Sequence, residues 1–255
     1  MLNENVSDVF GPRKISFSEI GINSMGGFIS GIIGSIVIFI LIYLSSNVID
    51  VAGSFAKAQA GMNTNPIFPF ILSLIAFIAS SVTIFSTYFF LTKTDSAKYK
   101  SLTTSYSQIA FFIILTYIFI TPVYIYAGMQ NYDNIMYVFL AHILILAFGT
   151  HIIAEILNNY KYVLIGIYGS FVGFFLTIFA AITIFSHSSD GFAKLITLLV
   201  VLPVINTLIM FFKQVFELSY YKYHKYTGLD QLGDIFNQIK NEEDEEWKEA
   251  EALNN

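Results

Sequence analysis

Hydrophobic residues run along the chain in six long blocks, at about 26–46, 67–91, 109–127, 136–157, 162–186 and 193–212, with short polar stretches between them. Each block comes close to or exceeds the roughly 20 apolar residues that an α-helix needs to cross a bilayer. The pattern predicts an all-α bundle of six transmembrane helices over 26–213, preceded by a polar segment at 1–25 and followed by a polar tail at 214–255. The first apolar run starts too late, and is too long, to read as a cleavable signal peptide.

Finer patterning marks how the spans begin and pack. Ser16 and Glu19 have capping-box spacing, so a helix start is expected just ahead of the first span. Within that span Gly27, Ser30, Gly31, Gly34 and Ser35 repeat a small-xxx-small pattern, and Gly166, Gly169, Ser170 and Gly173 do so in the fifth. Small residues let two membrane helices approach closely, which any bundle needs and which dimerisation would also use. Pro122 and Pro203 interrupt the third and sixth spans and are candidate kinks. Hydroxyls at Ser80, Ser81, Thr83, Ser86 and Thr87 can bond carbonyls of their own helix. Between the first two spans, IDVAGSFAKAQAG reads as a weak surface helix. Tyr124, Tyr126, Tyr132 and Tyr137 are expected at headgroup level, where aromatic belts sit.

The tail divides in two. Residues 214–227 continue as a helix leaving the membrane, and Thr227 with Asp230 has the spacing of a second capping box. Leu229, Leu232, Phe236 and Ile239 then form one apolar stripe at three- and four-residue intervals, a candidate docking face for a cytoplasmic partner or the protein itself. The acidic run at 242–251 reads as solvated or disordered, and it supplies much of the net charge of −5.

Composition agrees: 55% of residues are hydrophobic and only 12% charged, about half the share in a soluble domain. The absence of cysteine removes disulfides, thiolate metal sites and a cysteine nucleophile. Orientation follows from Lys and Arg. With six spans, Arg13, Lys14, Lys93, Lys98, Lys100, Lys161, Lys213, Lys222, Lys225, Lys240 and Lys248 fall on one side, against Lys57 and Lys194 on the other. The positive-inside rule places both termini in the cytoplasm, with the plasma (inner) membrane as the expected location.

The fourth span, MYVFLAHILILAFGTHIIAEIL at 136–157, concentrates the chemistry. It carries His142, His151 and Glu155, and ionisable groups in hydrocarbon usually face a bundle interior or a wet cavity. His151 and Glu155 are one turn apart on one face, while His142 lies on the opposite face about 13 Å away along the axis. A Glu155 ion pair with Lys161 or Lys213 is plausible from their shared end of the bundle. Asn206, three residues after Pro203, is placed to bond carbonyls that the proline frees, or to line a cavity. Two readings of the His151–Glu155 face compete: structural polar contacts between helices, or a proton- or cation-handling pair.

No phosphate-binding glycine loop, HExxH motif or GxSxG elbow is present, and His187 and His224 lie outside the spans, too far to complete a metal site. The sequence therefore predicts neither an enzyme nor a bound cofactor or metal, and nothing points to nucleic acid. SSVTIFS at 80–86 and AAITIFS at 180–186, together with the two prolines, hint at an inverted three-plus-three repeat. Two functions follow as expectations. The first is a non-catalytic integral subunit or scaffold of a membrane assembly, partnered by the lipid bilayer and by another membrane protein or a second copy. The second is a small permease or channel, proton- or cation-coupled.

Overall fold

A computed structural model describes residues 15–60, 62–94, 99, 102–130, 135–158, 163–187 and 191–226. Among these residues there are seven helices: α1 (Phe17–Ser45), α2 (Val51–Gln59), α3 (Phe68–Thr94), α4 (Leu102–Met129), α5 (Ile135–Asn158), α6 (Val163–His187) and α7 (Gly191–Tyr226). All but the short α2 are long and apolar enough to cross a membrane. The chain is an integral membrane protein built as an all-α bundle.

Both ends of the spanning region run further than the apolar blocks suggest. The Ser16 hydroxyl accepts from the Glu19 N–H at 3.2 Å, and the Glu19 carboxylate accepts from the Ser16 N–H at 2.6 Å. This capping box satisfies two otherwise orphaned donors, so α1 starts at Phe17 and passes without interruption into the first span. At the other end α7 has 36 residues, roughly 54 Å at ~1.5 Å per residue, against a hydrocarbon layer of about 30 Å. The sixth block and the 214–226 segment are thus one helix that outruns the bilayer. Its projecting turns lie beside the start of α1, with the Lys222 ammonium 5.5 Å from the centre of the Phe17 ring.

The helices sort into an inner and an outer set. In α3, α5 and α7 more than half of the most apolar stretch is buried, with α5 highest at 61%, whereas in α4 only 17% is. The large exposed side chains of α4, among them Phe111, Ile118 and Phe119, face outward, as lipid-facing positions do. The inverted repeat would make α4 and α7 equivalent. In burial they differ: 17% of the most apolar stretch of α4 is buried, against 56% of that of α7.

Close packing is concentrated on α7, which has its most extensive interfaces with α6 and α1. Gly31 lies against the backbone of Pro203, where an added Cβ would collide with the Pro203 nitrogen and Cα. Gly27 likewise sits on the Asn206 carbonyl, and Gly34 against the Thr83 hydroxyl and Leu202. On the opposite flank Gly169 faces the Lys213 backbone and Gly173 that of Ile209, each with an added Cβ at 2.6 Å. The two glycine faces thus seat α1 and α6 on the same helix within one chain.

Proline 203 does not end α7. A proline has no N–H for the carbonyl four residues earlier, here that of Leu199, and the Ser35 hydroxyl of α1 donates to this carbonyl. Asn206, expected in that role, instead donates from Nδ2 to the Leu202 carbonyl at 2.9 Å. Pro122 also lies inside its helix, α4.

Two further expectations are refined. The 47–60 segment forms α2, capped by Asp50 on the Gly53 N–H at 2.8 Å. Val51, Phe55 and Ala58 are buried and Phe55 meets the Phe68 ring edge-on, so α2 is packed on the bundle rather than laid on lipid. Tyr124 does not face outward as a belt residue would. It is fully buried, while Tyr126 is exposed and Tyr137 packs on Phe185. Tyr132, the second capping box at Thr227 and Asp230, and the stripe of Leu229, Leu232, Phe236 and Ile239 lie outside the described residues.

Candidate functional site: a polar seam between α5 and α7

Two inner helices bring three of the intramembrane polar candidates, His151, Glu155 and Asn206, together with Lys213. His151 and Glu155 are four residues apart on α5, and Asn206 and Lys213 are seven apart on α7, so each pair shares a helix face. The faces meet in two rungs. In the first, His151 Nε2 lies 3.3 Å from Asn206 Oδ1. In the second, Glu155 forms an ion pair with Lys213.

The orientation of the first rung is fixed by its surroundings. Because Asn206 Nδ2 donates to the Leu202 carbonyl, the amide oxygen is the atom that faces His151. A neutral imidazole donates from one nitrogen and accepts at the other. Nε2 therefore carries the proton, and Nδ1 is left as a buried acceptor with no partner among the described residues.

The second rung is joined by a residue from outside the helices. Tyr99, between α3 and α4, donates its hydroxyl to Glu155 Oε1 at 2.9 Å and accepts from Lys213 Nζ at 3.1 Å. The Lys213 ammonium also lies 5.7 Å from the centre of the Tyr99 ring, and that ring meets Tyr88 of α3 edge-on at 6.1 Å. Gly166 on α6 makes room for the carboxylate: a Cβ there would collide with Glu155 Oε2.

This geometry opposes two electrostatic terms. Removing a carboxylate and an ammonium from water costs several kcal/mol each, and their attraction offsets that only with good geometry and further hydrogen bonds. The Tyr99 hydroxyl supplies such bonds to both partners at once. Glu155 is 0% exposed, and His151 and Lys213 are each 2%, so in this conformation the seam opens onto packed helix and not onto water. Chemically it is a charge pair held at a helix junction.

His142 stands apart, as its position on α5 requires. Its Nδ1 lies 3.3 Å from the Tyr124 hydroxyl of α4, the rings are edge-on, and both residues are fully buried. Among the described residues no three His, Asp or Glu side chains come together as metal ligands would. The hydroxyl row on α3 largely bonds its own helix, with Ser81, Thr83 and Thr87 each donating to the carbonyl four residues back.

Of the two lysines considered for Glu155, Lys213 is the partner in this structure, and Lys161 lies outside the described residues. Sequence reading missed Tyr99 and Tyr124. Tyr99 sits in a polar run, TKTDSAKYKSLTTSYSQ, with no hydrophobic period to signal burial. Tyr124 shares its type and neighbourhood with tyrosines that do face outward. No family model matches the chain, and no curated protein or solved structure matches it either.

Proposed function

We propose that this protein is a non-catalytic integral subunit or scaffold of a membrane protein assembly, seated in the plasma membrane with both termini in the cytoplasm. The observation that carries the reading is the closed seam: the buried charges of Glu155 and Lys213 are spent on a contact between helices and shielded from water. A transport pathway needs polar groups that meet water or a substrate, and these groups meet each other. The two glycine faces are likewise occupied within the chain. The surplus length of α7 provides a rigid arm beyond the bilayer on which a partner can dock. Orientation rests on the Lys and Arg asymmetry across the spans.

Native mass spectrometry of protein released gently from its own membranes into nanodiscs tests this reading. A scaffold gives a mass above the 28.7 kDa chain by a stoichiometric second protein or copy. A bare monomer under the gentlest activation overturns it.

The second reading, a proton- or cation-coupled permease, is favoured by a different observation. Ionisable residues inside a membrane commonly mark ion and proton paths, and His151 Nδ1 and the buried Tyr88 hydroxyl have no partner among the described residues. Such a protein would carry flux across liposomes, and a scaffold would not.

A further inference from the structure

A residue between two helices is ordinarily exposed, because irregular backbone needs water. Tyr99 is only 4% exposed, and its side chain fills a space built by four helices. Tyr88 of α3 supplies an aromatic edge, Glu155 of α5 an acceptor, Lys213 of α7 a donor, and Gly166 of α6 the room for the carboxylate. The same buried cluster holds Leu91 and Ala154. Donor, acceptor and apolar wall are all arranged to match one chemical group, a phenol.

We propose that Tyr99 is the self-supplied occupant of a phenol-binding socket, and that its side chain is what keeps water from the Glu155–Lys213 pair. The walls belong to the helices and remain when the tyrosine side chain is removed. The vacated site therefore takes a free phenol, held by the hydrogen bonds that Tyr99 makes now. Without an occupant, water reaches the ion pair and the cluster around it.

The cysteine-free chain permits a direct test on full-length protein in nanodiscs. A reporter thiol is introduced by Ala154→Cys, at a fully buried position in the socket's own cluster. A control thiol is introduced separately by Ala79→Cys, equally buried but in the other core cluster. Reaction with a membrane-impermeant maleimide is then timed. The reporter thiol is expected to be protected when Tyr99 is present. In Tyr99→Ala and Tyr99→Phe it should react about tenfold faster or more, the factor that loss of one charge-assisted hydrogen bond implies. Adding p-cresol restores protection in Tyr99→Ala, while the control thiol stays protected throughout.

Three results overturn the proposal: the reporter thiol labelling freely with Tyr99 in place, the reporter staying protected in both variants, or p-cresol failing to protect it in Tyr99→Ala. If the control thiol also labels in Tyr99→Ala, that variant has lost its fold and Tyr99→Phe, which keeps the ring, decides. Protection unchanged in Tyr99→Phe then assigns the burial to ring packing and rules out the polar socket.

Discussion

At the scale of single residues, Glu155 and Lys213 hold the seam together. Removing one partner of a buried ion pair leaves an uncompensated charge, and this costs about 3–5 kcal/mol. Replacing both by uncharged groups of similar size leaves none. Lys213→Met is therefore expected to destabilise the protein by that amount, and Glu155→Gln combined with Lys213→Met by clearly less. Denaturant titration in mixed micelles measures both. A double variant as unstable as the sum of the two singles would show that the residues are not coupled. The pair was legible as one of two alternatives for Glu155, because a single lysine in LIMFFKQVF and a glutamate in an apolar span at the same end of the bundle invite each other. Tyr99 was not legible. Its polar partners, Glu155 of α5 and Lys213 of α7, are 56 and 114 residues away, and its own neighbours in the chain are polar.

At the scale of elements, α7 is the helix on which α1 and α6 are seated, and glycine sets how closely they approach. A Cβ at Gly31 would meet proline backbone, which cannot swing aside as a flexible side chain can, whereas one at Gly21 of the same helix meets nothing within 4 Å. Overpacking a fitted interface costs typically ~1–3 kcal/mol, while replacing glycine by alanine inside a helix gains up to about 1 kcal/mol where space is free. Gly31→Ala should thus lower the unfolding midpoint and Gly21→Ala leave it unchanged or raise it. Equal effects from the two would remove the case for a backbone-to-backbone contact between α1 and α7. The glycine spacing was readable from the chain, but its target was not. Ser35 and Leu199, which meet across that interface, are 164 residues apart, and no local pattern records such a pairing. The apolar blocks, by contrast, marked the spans well, because a bilayer imposes its length on any helix that crosses it. Helix runs beyond the apolar core at both ends, as the Ser16–Glu19 capping box and the helical 214–227 segment led the sequence to expect.

At the scale of the whole molecule, the central claim is that this bundle uses its buried charge for cohesion rather than for transport. The inner helices α3, α5 and α7 enclose the polar seam, and the outer helices α1, α4 and α6 shield it from lipid. Proton and cation flux into liposomes carrying the purified protein tests that claim most directly, with His151→Ala and Glu155→Ala measured beside the parent. Folded parent protein is expected to give no flux above empty liposomes. Flux in the parent that both substitutions abolish would contradict it and establish the seam as a pathway.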